Sequence, residues 1–350
     1  MEFSSEIIGW YHRHKRDLPW RHTTDPYVIW LSEVILQQTR VAQGLPYFHR
    51  FLTHFPNVAA FAAASEEEIL VHWQGLGYYS RARNMHHAAK TVVTEYNGLF
   101  PNRYSDLIKL KGIGEYTAAA ISSFSSNEAK AVLDGNVFRL LSRYFAIDEP
   151  INSSKGKKLF SALADELLDR TCPGIYNQAV MEFGAIQCKP SGPNCGDCVL
   201  RVGCRAFAEG RVDHLPIKLK GKDSRNRYFN YFVVQQEGQI VMTKRGKGDI
   251  WENLHELPLI ETTRLLDIHE LTASAEVIDT FGMDANLTLV SGPVKHVLSH
   301  QNLFAQFVKV VLKKPFDEKK VKGNYVFIKD LSTLAKPKLI YSFLKDYEIE

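Results

Sequence analysis

Four of the chain's five cysteines crowd into one short stretch, with the spacing Cys188-x6-Cys195-x2-Cys198-x5-Cys204. Lys, Pro, Ser, Gly, Asn and Asp fill the intervals and favour a loop, so four thiolates can wrap one small metal centre. Zinc fingers want two short Cys pairs with a longer separator, which this spacing lacks. It also differs from the tight repeat of bacterial ferredoxins. The spacing points instead to a single [4Fe-4S] cubane, one thiolate per iron. Disulfides are the competing reading, and they need an oxidising compartment. Residues 1–6 carry neither the basic start nor the apolar core of a secretory signal, so the expected setting is reducing and cytoplasmic. Cys172 is left over and is expected as a buried core residue.

A chain of 350 residues with 45% hydrophobic content implies two domains with substantial cores. No apolar run reaches the length of a membrane span, and no oligomerisation signal is evident, so a monomer is expected. The net charge of +4 is unevenly placed. Arg201, Arg205, Arg211, Lys218, Lys220, Lys222, Arg225 and Arg227 face only Glu209, Asp213 and Asp223 across the same stretch. Phosphate contact and a merely solvated linker both fit that strip.

Helical spacing over residues 61–70 and 159–168, with Gly and Pro recurring between such segments, predicts an all-α domain of short helices over residues 1–206. Residues 207–225 read as a basic linker. Residues 226–350 read as a mixed α and β domain. Strands are expected over 228–234, 239–243, 303–312 and 325–328, the first two joined at Gly238, and helices over 261–275 and 333–344.

Leu110-Lys111-Gly112-Ile113-Gly114-Glu115-Tyr116-Thr117 joins a short helix, with Ser105 as its expected N-cap, to a second helix. Gly112 and Gly114 let backbone N–H groups approach a phosphate, as in the helix-hairpin-helix clamp on the DNA backbone. An ordinary helix C-cap followed by another helix is the plainer reading. Asp134, in Leu133-Asp134-Gly135-Asn136-Val137, suits a helix N-cap and equally a carboxylate facing a cationic transition state. Glu33 sits inside the apolar run 28–39, where burial raises a carboxyl's pKa toward that of a general acid; a salt bridge to Arg40 or another arginine is the alternative. Two carboxylates in unlike surroundings can divide the labour of N-glycosidic cleavage, one protonating the leaving base and one supporting the sugar cation. Leu76 and Tyr78, on the Gly-flanked turn 75–79, can wedge into a base stack or fill core.

With Ser32-Glu33-Val34, Gln37-Gln38-Thr39, Gly75-Leu76-Gly77-Tyr78-Tyr79, the hairpin, the Asp134 motif and the cysteine spacing together, the chain resembles bacterial adenine DNA glycosylases of the MutY type, within the helix-hairpin-helix glycosylases. The resemblance implies excision of adenine paired with 8-oxoguanine or guanine in double-stranded DNA. It makes Glu33 the acid at adenine N7, Asp134 the carboxylate at the sugar, and Asn136 its helper. Arg21 and Glu182 fall where the family contacts the flipped adenine, and Gln38, Leu76 and Tyr78 where it probes the stack and the opposite base. Tyr116 stands where thymine-glycol glycosylase/lyases carry a Schiff-base lysine, so little lyase activity is expected. Thymine-mismatch glycosylases also accept Tyr here but usually lack a second domain. The second domain resembles a Nudix-like 8-oxoguanine reader through Trp251-Glu252-Asn253-Leu254-His255-Glu256-Leu257-Pro258, without the acidic Nudix box. Ser299 and His300 match its recognition turn, in which Leu298 replaces the usual aromatic. A catalytically silent DNA-binding module is the alternative from another class, and the retained Glu33 and Asp134 argue against it.

Overall fold

The computed structural model describes residues 2–221, 223–316 and 325–347; Lys222, counted in the basic strip, lies outside them. The chain splits into two compact units. Residues 1–64 and 80–220 form the first, and residues 65–79 and 221–350 form the second. The stretch expected as a linker is held in the first unit as far as Lys220. There Ile151 N–H donates to Ile217 O, Arg143 Nε to Leu215 O and Asn152 Nδ2 to Leu219 O.

Helices run in the order α1 (Glu2–His14), α2 (Pro26–Ile35), α3 (Val41–His54), α4 (Val58–Ala63), α5 (Glu66–Trp73), α6 (Ser80–Glu95), α7 (Tyr104–Leu107), α8 (Glu115–Ser126), α9 (Gly135–Phe145), α10 (Ser154–Leu167), α11 (Pro173–Glu182) and α12 (Arg205–Ala208). The continuous helix expected over 61–70 is two helices, because the Ser65 side chain caps Glu68 N–H and starts a new one. Helix α2 begins where Asp25 accepts from Tyr27 N–H with Pro26 in the first turn. Its residues are apolar on nearly every side, so it is buried at the centre of the first unit rather than on the surface. Helix α8 packs against α2 and α11. Its buried face is small, Ala118, Ala119, Ala120, Ser122 and Ser123, which lets the neighbouring backbones come close. A Cβ on Gly174 of α11 would fall 2.5 Å from Ser123 O. That close packing brings the start of α8 beside the end of α2.

In the second unit the described strands form a seven-stranded sheet, β1 (Arg225–Gln236), β2 (Gln239–Lys244), β3 (His255–Glu256), β4 (Leu259–Thr262), β5 (Asn286–Val297), β6 (Gln301–Val311) and β7 (Tyr325–Ile328). The sheet order is β3-β2-β1-β6-β5, with β4 paired to β1 and β7 to β2. Strand β1 runs parallel to β6 and antiparallel to β2 and β4. The two-residue period of β1 sends Phe229, Tyr231 and Val233 to one core and Phe232 and Val234 to the other. Helices α13 (Ile268–Thr272) and α14 (Ala275–Phe281) close the core of Phe232 with Leu271, Val277 and Phe281. Helix α15 (Lys338–Asp346) closes the core of Tyr231 with Ile340 and Phe343.

The second unit corrects two expected helices. Residues 261–262 finish β4, and α13 starts only after the Asp267 capping box. Helix α15 starts at Lys338 rather than near 333, directly after Pro337. Strand β5 was not expected, since its inner and outer faces are both largely exposed and lack the alternation of a half-buried strand.

Candidate active site

An open cleft of about 820 Å³ in the first unit is lined by Glu33, Tyr116, Asp134, Asn136, Arg21, Glu182, Gln38 and their neighbours. Helix α2 supplies Glu33, α8 Tyr116, α9 Asn136 with Asp134 as its cap, and α11 Glu182. Residues as far apart in sequence as Arg21 and Glu182 therefore share one wall.

Glu33 is buried, 8% exposed. Tyr116 Oη donates to its Oε2 at 2.5 Å, which leaves Oε1 as the oxygen that Tyr116 does not hold. Burial pushes the Glu33 carboxyl up to about 7, against the opposing Tyr116 hydrogen bond, with the Asp134 charge adding to the rise. The alternative is an ion pair with Arg40 or another arginine; among the described residues the hydrogen-bond partner of Glu33 is instead the Tyr116 phenol, and the Arg21 charge only opposes the rise.

Asp134 takes the helix-cap reading, and it does so on the wall of the cleft. It caps α9, its Oδ1 accepting from Asn136 N–H at 2.9 Å and Val137 N–H at 2.8 Å, and its Oδ2 accepts from Asn136 Nδ2 at 2.7 Å. Burial raises its pKa, and these three donors oppose the rise. Asn136 Oδ1 in turn accepts from Arg139 Nη2 at 2.8 Å. Arg139 also donates to Gly184 O and Cys188 O, so one side chain braces both the Asp134 motif and the first cysteine. The two carboxyls thus share a cleft but differ in partners, a single phenol against three N–H groups.

Glu182 is 2% exposed and lies between two arginines. Arg16 donates to it from Nε, Nη2 and the backbone N–H, and Arg21 from Nη1 and Nη2. Burial works against its ionisation, yet these hydrogen bonds hold it down at about 2. Arg16 went unnoticed in the sequence. Only its place in the basic run His12-Arg13-His14-Lys15-Arg16 marks it.

The hairpin differs in detail from its sequence reading. Ser105 lies inside α7 and is not its cap; the Tyr104 N–H is satisfied by Glu128 Oε2 at 2.7 Å. Gly112 has φ +84°, and a Cβ there would meet Asn84 Cβ at 2.7 Å, so this position requires glycine. Gly114 has an ordinary extended φ and open space around it at the N-terminus of α8.

Leu76, Tyr78, Ser299 and His300 belong to the second unit, whereas the cleft residues belong to the first. Tyr78, with φ +48°, is 51% exposed, whereas Leu76 is buried at 6%. The wedge expectation therefore fits the exposure of Tyr78 and not that of Leu76. Ser299 Oγ donates to Tyr78 Oη at 3.1 Å, and Leu298 is half-buried against the core of Phe229 and Tyr231. His300 is exposed, and its carbonyl accepts from Arg225 N–H. Two members of the basic strip are already committed: Arg227 is buried between Asp249 and Glu261, and Arg211 pairs with Asp148 and Glu209.

Cys188, Cys195, Cys198 and Cys204 are free thiols that line one small cavity with Leu140, Arg143 and Leu200. Burial, then the neighbouring thiolates, push Cys195 and Cys204 up and Cys198 to about 11, Arg143 and nearby backbone N–H groups opposing. Arg143 Nη1 donates to Cys188 Sγ at 3.4 Å. Among the described residues no three His, Cys, Asp or Glu side chains group as one metal ion would need. A cubane instead spreads its ligands over separate irons, and a shared cavity is what it asks of four thiols. Cys172, expected in the core, is half-buried at the start of α11.

Comparison with known proteins bears on this geometry. Residues 31–166 match the HhH-GPD superfamily of base excision DNA repair proteins, and residues 230–346 match the NUDIX domain family. An adenine DNA glycosylase from Buchnera aphidicola subsp. Baizongia pistaciae is 32% identical over 315 residues, 89% of this chain and 87% of that protein. Another, from Buchnera aphidicola subsp. Schizaphis graminum, is 36% identical over 261 residues, 74% of this chain and 75% of that protein. The solved structure of a thermostable thymine-DNA glycosylase aligns with TM-score 0.55 at 28% identity, covering 59% of this chain and 95% of that one. A non-covalent endonuclease III–DNA complex shares the fold, with TM-score 0.51 at 21% identity over 59% of this chain and 94% of that one. With a helix-hairpin-helix glycosylase fold followed by a Nudix-like domain, and with similarity to adenine DNA glycosylases along nearly its whole length, the chain belongs to the adenine DNA glycosylase family of the MutY type.

Proposed function

We propose that the protein flips adenine out of a DNA duplex, where it is mispaired with 8-oxoguanine or guanine, and hydrolyses its N-glycosidic bond without cutting the strand. The observation that carries this reading is the pair of buried carboxyls in one cleft with unlike partners, a phenol for Glu33 and three N–H groups for Asp134. Glu33, raised to about 7, keeps a large protonated fraction at neutral pH and gives its proton to adenine N7. The C1′–N9 bond then breaks with its electrons leaving on the base, and Asp134, fixed by three N–H donors, faces the sugar cation until water adds at C1′. Glu182, ionised and held by Arg16 and Arg21, fixes Arg21 on the cleft wall, and the two are assigned to the flipped adenine. Tyr116 has no amine, so no Schiff base with the sugar forms, which favours glycosylase over lyase chemistry.

Cys188, Cys195, Cys198 and Cys204 would hold a [4Fe-4S] cluster, whose irons offset the mutual repulsion of the thiolates. The cluster would brace the loop that follows α11, and Arg139 would tie that loop to Asn136. Exposed Arg201, Arg205, Lys218 and Lys220 are suited to the duplex backbone. Ser299, His300 and Tyr78 are assigned to the base opposite adenine.

Single-turnover reaction with a duplex carrying one 8-oxoguanine:adenine pair, analysed with and without alkali, tests the reading. Free adenine with strand breakage only after alkali is expected. Release of thymine or a damaged pyrimidine instead, or breakage without alkali, would overturn it.

A further inference from the structure

We infer that Arg81, at the start of α6, is a positioning residue that holds the end of the Glu33 helix and the following 36–39 loop; this rests on the proposed roles of Glu33 and Gln38 and adds how they are held. Arg81 is only 9% exposed. Its Nη1 donates to Val34 O at 2.9 Å, to Ile35 O at 3.2 Å and to Gln37 O. Helix α2 ends at Ile35, two residues beyond Glu33, and its last carbonyls concentrate the negative end of the helix dipole. A guanidinium placed there serves as a charged C-terminal cap supplied by another helix.

The Gln37 contact has a sharper consequence. Gln37 O belongs to the peptide plane that precedes Gln38, and Gln38 has φ +56°. For a residue other than glycine this left-handed conformation is strained and persists where surroundings enforce it. Arg81 fixes that peptide plane, and Gln38 is thereby turned to the cleft. From the opposite side, Gln37 Nε2 donates to Thr117 Oγ1 at 3.2 Å, and Thr117 adjoins Tyr116, the partner of Glu33. The loop is clamped between α6 and α8. An apolar side chain of equal length would fill the same space but offer the three carbonyls no donor.

One nitrogen makes all three contacts, so a lysine ammonium, with three N–H groups, should take over much of the work. The variants are therefore Arg81→Met and Arg81→Lys, with three readouts: single-turnover adenine release, binding of the same duplex, and deuterium exchange of the 36–39 amides. In Arg81→Met we expect duplex binding to be nearly kept, exchange over 36–39 to rise, and excision to fall roughly ten- to a hundredfold. Arg81→Lys should recover most of both losses. Unchanged excision in folded Arg81→Met, or a loss of excision with no rise in exchange over 36–39, would overturn the inference. Should Arg81→Met fail to fold, Gln37→Ala cuts the opposite tether; it should show the same pair of changes at smaller size, and no change in either would overturn the clamp. If the wild-type protein releases no adenine, the proposed function fails, and the exchange results alone decide whether Arg81 holds the loop.

Discussion

Replacing Glu33 by glutamine should make the protein more stable, and increasingly so as the pH rises. In the folded state the Glu33 carboxyl stands at about 7 against an ordinary value of 4.5, because burial disfavours its charge. The folded protein therefore binds a proton that the unfolded chain has released, and folding stability falls as pH climbs through that window. At about 1.36 kcal/mol per unit of displacement, full ionisation costs about 3 kcal/mol. The side-chain amide of the variant keeps the shape and a group able to accept from Tyr116, and it never ionises. The stability advantage of Glu33→Gln over wild type should thus grow by about 2.5 kcal/mol between pH 5 and pH 8 and then level off. Urea unfolding of both proteins across that range, followed by helical circular dichroism, gives the difference directly. The same variant should bind duplex and release no adenine. A difference that stays flat with pH, or a variant that is less stable than wild type at pH 8, would mean that Glu33 is ionised in a favourable ion pair, and the acid assignment would fall.

Glu182 should behave with the opposite sign. Its folded carboxyl sits at about 2, so its stabilisation is present above pH 4.5 and lost as pH falls through about 2; Glu182→Gln should cost about 2–3 kcal/mol at pH 7 in urea unfolding and much less in strong acid. Gly112→Ala must accommodate φ +84° and a Cβ 2.7 Å from Asn84 Cβ, which should cost about 1–3 kcal/mol and lower affinity for undamaged duplex in a binding titration. Cys198→Ser should strip the purified protein of most of its expected complement of about four irons per chain, measured by metal analysis together with absorbance near 400 nm; full retention of iron would contradict a cluster held by all four cysteines.

What could be read in advance was local. Asp134 as the cap of α9, the glycine at position 112, the burial of Glu33 inside an apolar run and the Gly238 turn between two strands each depend on neighbours a few residues away. What could not be read depends on distant partners. Nothing near Arg16 announces Glu182, 166 residues on, and nothing near Arg81 announces the carbonyls of α2. The grouping of residues 65–79 with the second unit is of the same kind: Tyr79 Oη donates to Lys336 O, and Lys336 N–H to Gln74 Oε1. Leu76 could be placed on a turn from its glycines, but its burial could not be read from them. Likewise β5, exposed along both faces, offers no hydrophobic period to find.

The most direct test of the account is the pH dependence of single-turnover adenine release from the 8-oxoguanine:adenine duplex. A rate that is highest on the acid side and falls tenfold per unit above about pH 7, as Glu33 loses its proton, is the predicted result. A rate that stays level to pH 9 in the wild-type protein would contradict it, because the buried carboxyl would then not be the group that protonates the base.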